Sequence, residues 1–364
     1  MNFRLFIISI LILISAEINS QIFKDSVGRV MIEDVLNNMY DFKFIQAKKS
    51  IEKIKQNYPE HPVVDLLSAM IMEREFYPFE KNPGMLINYK IILERASKKT
   101  DKLSPGNEKL FFKLSSEGYL AGIDADLGNY ITAITHAKNA YYSIIESSKL
   151  IEKEPEFLYT TGLYNYLREA YGDVHPAVKP FLVFFKSGNK ELGIKELNLG
   201  FKKSLFTGNE AGFQLAYLYK KYENKPEKSL LLFAELHKKF PNNPIFLMQY
   251  IEVKILAENM DGIKELLNKF EKYDSPYYKA AFWLFNGLID EKNGDLQNAE
   301  IAYLKSTKLP YEEKYTREYR GMAYLGLARI NNKRGNAANK NKYLNLSKGH
   351  CEYKRNIKEI NGLK

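Results

Sequence analysis

The chain has 364 residues, 45% hydrophobic and 27% charged, with 13 prolines and 21 glycines; this excludes disordered, membrane-bundle, collagen-like and linker-rich classes. The formal charge of +10 is spread along the chain, and many lysines stand in pairs near predicted helix ends (Lys98-Lys99, Lys202-Lys203, Lys220-Lys221, Lys238-Lys239), where cations favour the negative end of the helix dipole. One cysteine, Cys351, excludes an internal disulfide and a Cys-based zinc site, and such avoidance of thiols suits an oxidising compartment.

The first element is a targeting signal. Met1 to Arg4 gives a short positive start, and Leu5 to Ser15 is an almost unbroken apolar run of 11 residues. A helix crossing a bilayer needs about 20, whereas the apolar core of a secretory signal has this size. Residues 1–20 are therefore expected to be a signal peptide, cleaved after Ser20 or, alternatively, after Ala16. A retained signal anchor is the competing reading. No cysteine follows the run, so lipoprotein anchoring is excluded. The most apolar later stretch, Ala280 to Ile289, is interrupted by Asn286 and Gly287. The mature chain is expected to be soluble, and periplasmic or released from the cell.

From residue 27 onward, apolar residues fall at helical spacing in runs of 12 to 20, divided by Gly, Asn, Asp or Pro, and strand-like alternation is scarce. This predicts an all-α fold for residues 21–364. In chain order, Ala47, Ile51, Ile54 and Pro59 mark the second helix of a first hairpin. Gly128 marks a turn followed by Ala133, Ala137 and Ala140, and Gly193, Leu197 and Gly200 mark a middle unit. Phe213, Tyr217, Asn224, Ser229, Phe233, Leu236 and Pro241 form a good unit, followed by a shorter hairpin over Pro244 to Tyr273 that turns at Asn259 to Asp261. The clearest unit runs from Ala281 to Pro310, with Trp283, Gly287, Gly294, Ala299, Tyr303 and Ser306. A last one turns at Gly335, although Lys340 stands where a small residue is expected. These spacings resemble the tetratricopeptide repeat, in which small residues let paired helices approach and large ones fill the gaps between hairpins. The resemblance covers most of residues 27–348. It implies a right-handed α-solenoid of about eight helical hairpins, with a long apolar insertion near residues 172–187.

The middle segment, Glu156 to Leu197, departs from the plain repeat. A helix with Gly162, Tyr164 and Tyr166 starts after Pro155, and Gly172, Pro176 and Pro180 are expected to break it ahead of the apolar run Phe181 to Phe185. GLYNYLREAY, HPAVKPF and GNKELGIKEL are similar to exported tetratricopeptide-repeat proteins of Bacteroidetes-type bacteria. More loosely they resemble a mitochondrial outer-membrane family with the same Gly-Leu-Tyr helix and apolar insertion. The likeness implies fold and export and assigns no catalytic residue or ligand. In one reading Tyr164, Arg168, Asp173, His175 and Lys179 meet at a groove, the cations for a carboxylate and the tyrosines for a sugar or peptide. In the other, which is favoured, Asp173 caps a turn, His175 bonds backbone and the Phe181–Phe185 run plugs the core.

No chemistry emerges elsewhere. The histidines, His61, His136, His175, His237 and His350, show no i+3 or i+4 pairing, and no metalloprotease, dinucleotide, P-loop or nucleophile-elbow motif is present. The Ser50/Lys53 and Ser187/Lys190 pairs lack the partners that would activate a serine. Asp124 and Asp126 point to different helix sides. No catalytic residue, metal or cofactor is expected.

The first helices of such a stack form a concave face. Its predicted positions include Gln214, Leu218 and Lys221; Leu284, Leu288 and Glu291; Leu325, Arg329 and Asn332; and the small set Ser115, Gly118, Gly122 and Ala125. This mixed groove favours a peptide or protein. The expected function is a non-catalytic protein- or peptide-binding scaffold of the bacterial cell envelope, with Gln214, Lys221 and Arg329 as further binding candidates. The alternative is an outer-membrane-associated module capturing an oligosaccharide on exposed aromatics from Tyr159 to Tyr171. Export disfavours nucleic acid, and peripheral association with the envelope is compatible with both readings.

Overall fold

The computed structural model describes residues 21–77, 82–174 and 182–363, so the signal-peptide expectation for residues 1–20 lies outside the described residues. Among the described residues the chain is helical, with no strand. The helices are α1 (Ser26–Tyr40), α2 (Phe44–Asn57), α3 (Pro62–Glu75), α4 (Pro83–Asp101), α5 (Asn107–Asp126), α6 (Tyr130–Ser147), α7 (Leu158–Val174), α8 (Lys190–Lys203), α9 (Gly208–Lys221), α10 (Pro226–Lys239), α11 (Pro244–Leu256), α12 (Ile263–Glu271), α13 (Pro276–Lys292), α14 (Leu296–Lys308), α15 (Arg317–Lys333), α16 (Ala337–Lys348) and α17 (Lys354–Gly362). A 3-10 turn, Pro155–Phe157, leads into α7. Sixteen of these helices pair into eight antiparallel hairpins, matching the number expected, and α17 follows alone.

Local chemistry sets the helix starts. Asn243 caps α11 by accepting from the backbone N–H groups of Ile245 and Phe246, with Pro244 at the first helical position. Ser275, Asp295 and Asn336 cap α13, α14 and α16 in the same way. His61 starts α3, its Nδ1 accepting from Val63 N–H. The hairpin turns need a left-handed residue. Gly294 (φ +86°) and Gly335 (φ +72°) supply it where expected, as does Asn224 (φ 51°). Phe42 (φ 58°) and Glu258 (φ 58°) hold the same conformation without being glycine or asparagine; Glu258 stands one residue ahead of the turn expected at Asn259 to Asp261.

The chain forms two compact units. One contains the described residues up to Thr161 together with Lys203–Phe206. Its hairpins are α1–α2, α3–α4 and α5–α6, with α2 against α3 and α4 against α5. Phe23, Phe111, Phe112 and Phe206 form a ring cluster, with centroids 5.1 to 6.4 Å apart. Two carboxylates organise its edges. Glu108 accepts the N–H groups of Ile22 and Phe23, both at 3.1 Å, and bonds His61 Nε2 at 2.7 Å. Glu156 accepts those of Leu205 at 2.6 Å and Phe206 at 3.0 Å.

The second unit contains Gly162–Lys202 and Thr207 onward. Helices α7 and α8 cross at Gly162 and Gly193, where a Cβ on either would stand 2.6 to 3.0 Å from the other's carbonyl oxygen. Tyr303 of α14 lies between α13 and α15, its ring against Gly287 and Gly326. Ser306 donates to Ala280 O at 2.9 Å, and Ser347 repeats this bond to Gly321 O at 3.0 Å. These small-large-small contacts make the hairpins tetratricopeptide-like in their packing. Trp283 departs from its expected role: it is half-exposed, with Lys305 Nζ 4.0 Å above its ring, and Tyr303 and Phe285 fill the interior.

The middle segment differs from expectation in two ways. Gly172 does not break α7, which continues to Val174 because a single glycine costs a helix only about 1 kcal/mol. The described part of the apolar run does not plug the core, since Val183 is 73% and Phe184 80% exposed.

Candidate functional site

The site with the most convergent chemistry lies in the second unit, along the first helices α9, α11, α13 and α15. Its centre is charged. Lys220 of α9 and Glu252 of α11 are both fully buried, with Lys220 Nζ 2.8 Å from Glu252 Oε2 and 2.5 Å from Gln249 Oε1. Tyr319 of α15 donates to the same Glu252 oxygen at 3.1 Å and accepts from Gln249 Nε2 at 3.1 Å. Glu252 Oε1 is buried with no hydrogen-bond partner among the described residues. The rings of Tyr353, Tyr217 and Phe233 stand 5.2, 5.4 and 5.9 Å from the ammonium. Burial pulls the Lys220 pKa below the usual lysine value, although Glu252 opposes it.

The chain's own C-terminal segment covers this centre. Glu352 pairs with Lys221 of α9 at 2.5 Å and with Arg317 of α15 at 3.2 Å. Arg355 donates to the carbonyl of Leu256, at the end of α11, at 2.6 Å. Glu359 pairs with Arg329 of α15 at 3.0 Å, and Arg329 also forks onto Glu291 of α13 at 2.7 to 3.1 Å. Glu318, in the first turn of α15, accepts the N–H groups of Glu352 at 2.6 Å and Tyr353 at 3.2 Å, and Asn356 Nδ2 at 2.8 Å. Burial pushes the Glu318 carboxyl up to about 7 even though these donors act to lower it. Side chains from α9 and α15 and a backbone carbonyl of α11 thus hold one segment, and beside it a cavity of about 460 Å³ is lined by residues including Leu288, Glu291, Lys292, Arg329 and Lys333.

The structure separates the predicted site residues into two groups. Lys221 pairs with Glu352 and Arg329 with Glu359, so both bind the chain's own tail. Gln214, also on α9, is half-buried. On α7, Arg168 donates to the carbonyl of Leu182 at 2.7 Å, and the Tyr164 hydroxyl donates to that of Lys186. Both therefore fasten the connection between α7 and α8. The neighbouring Glu169 joins them by accepting Gly188 N–H at 3.0 Å. Tyr166 is buried, with its hydroxyl donating to Glu223 at 2.6 Å. Asp173 ends within α7, and its side chain, like His175 and Lys179, lies outside the described residues.

Sequence reasoning missed Lys220, Glu252, Glu318 and the whole C-terminal segment. One signal was present. Glu108, Glu156 and Glu318 each clamp two consecutive backbone N–H groups, the second of them on an aromatic residue (Phe23, Phe206, Tyr353) one to three positions ahead of a helix. A glutamate at a helix start, matched to an aromatic before another helix, is a pattern that can be sought.

Among the described residues no cluster of His, Cys, Asp or Glu could hold a metal ion, and no helix is long and apolar enough to cross a membrane. No family model matches the chain. No curated protein matches it either. Among solved structures, the chain is similar to a tetratricopeptide repeat protein from Parabacteroides merdae, with 16% identity, 80% of this chain and 98% of that chain covered, and a TM-score of 0.36.

Proposed function

We propose that the chain is a non-catalytic helical-repeat scaffold that holds a peptide segment of a protein partner on the face formed by α9, α11, α13 and α15. The observation that carries this reading is the grip already visible there: polar groups from separate hairpins converge on one short segment. The cavity beside it leaves room for further chain, and its walls mix aliphatic side chains with both signs of charge, as peptide grooves do. On α7, Tyr166 is buried and Tyr164 fastens a loop, which supports peptide over oligosaccharide. The bacterial envelope as the place of action follows from the signal-like start and is part of the same proposal.

A photo-crosslinking residue at Lys292, on the cavity wall, tests it in cells. The expected result is a covalent adduct with a protein. No adduct, together with binding of the purified chain to a glycan array, would transfer the reading to oligosaccharide capture.

A further inference from the structure

We infer that residues 350–362 are a resident stand-in for a partner's segment. On this inference, which rests on the scaffold reading, the groove takes a peptide with an acid–aromatic pair at the start of a short helix and a second acid on that helix, and the tail must leave before it enters. The chemistry of the partner is read from the occupant. Glu352 meets Lys221 and Arg317, Tyr353 covers Lys220, and Glu359 meets Arg329. Glu318 caps the backbone at the start of the helix.

Three observations support a stand-in. The floor beneath Tyr353 is polar, with Lys220, Gln249, Glu252, Glu318 and Tyr319, while Cys351 and Ile360 rest on apolar Leu325, Ala328 and Leu344. The floor's polar groups tolerate water when it is opened. Beside its apolar contacts to Leu325, Ala328 and Leu344, the tail is held by ion pairs and hydrogen bonds that water can replace when it leaves. Finally, α17 has nine residues, too few to be helical alone, so its order is supplied by the groove. Cys351, Tyr353 and Ile360 are buried, which keeps the closed state dominant.

The test uses the mature chain and a fluorescent synthetic peptide of residues 349–363. A tail weakened in place by Glu352→Lys with Glu359→Lys should bind this peptide about tenfold or more tightly than the unmodified chain does, because the occupied fraction no longer blocks the groove. Adding Lys221→Glu to that variant should abolish binding, and a peptide with Ala for Tyr353 should not bind. A weakened variant that stays helical by circular dichroism yet binds no tighter overturns the inference. A second measurement needs no variant. In native hydrogen exchange, the amides of α17 should open about a hundredfold more readily than those of α15; equal protection overturns the inference. If crosslinking at Lys292 traps the same partner equally in the unmodified and weakened chains, the scaffold stands and the stand-in falls.

Discussion

At the residue scale, Lys220 decides how the groove must be understood. A lysine taken fully out of water needs its charge matched, and Glu252, Gln249 and three aromatic faces do this. Removing one partner strands the other, so Lys220→Met should destabilise the chain by about 3–5 kcal/mol, whereas Lys220→Met with Glu252→Leu should recover most of that loss. Urea unfolding of the single and double variants checks this, and a double variant as weak as the single would refute it. Glu318 gives a pH signature. Its carboxyl is raised from 4.5 to about 7, so the folded chain holds a proton there that the unfolded chain has released. Its contribution to stability is therefore present below about pH 4.5 and is lost as pH rises through about 7, by up to about 3 kcal/mol. Glu318→Gln keeps an acceptor oxygen and should reduce the fall in stability measured between pH 5 and pH 8. An unchanged slope would show that Glu318 is not its source.

At the element scale, the hairpins are legible where packing is local and size-coded. Gly287, Tyr303 and Ser306 are read correctly because a large ring between two glycines needs that spacing. Gly326, on the far side of the same ring, belongs to the next hairpin. A Cβ there would collide with Tyr303, so Gly326→Ala should cost about 1–3 kcal/mol by overpacking, and Tyr303→Leu in the same chain should relieve part of it. Thermal unfolding of the pair measures the coupling; strictly additive losses would contradict the wedge. The connection after α7 was harder to read. An apolar run such as Phe181 to Phe185 looks like core, yet Val183 and Phe184 face outward because Tyr164, Arg168 and Glu169 pin the backbone on either side of them. Periodicity does not encode a loop held by side-chain bonds to its carbonyls and amides.

At the scale of the whole molecule, the all-helical hairpin order was legible and the tail's return was not. That return is written in glutamates, lysines and arginines, which look like any solvated helix face until the fold brings them together. Lys220 and Lys221 read as one more helix-end pair, yet one is buried against Glu252 and the other reaches Glu352. The start of the chain gives a matching test. Ile22 has no exposed surface and its N–H is held by Glu108, so the chain is packed two residues past the preferred cleavage point. Intact mass of protein recovered from cells should correspond to a first residue of Gln21; a mass that includes Met1, with retention in membranes, would sink the cleaved-signal reading.

The roof over the Lys220–Glu252 pair has a consequence for assembly. Glu352 lies 131 residues beyond Lys221, so a chain made from its N-terminus completes the pair long before the segment that covers it exists. The two ions therefore meet while still hydrated, and their water is expelled late, when Tyr353 arrives. Their desolvation is thereby deferred to a moment when both charges already have their geometry.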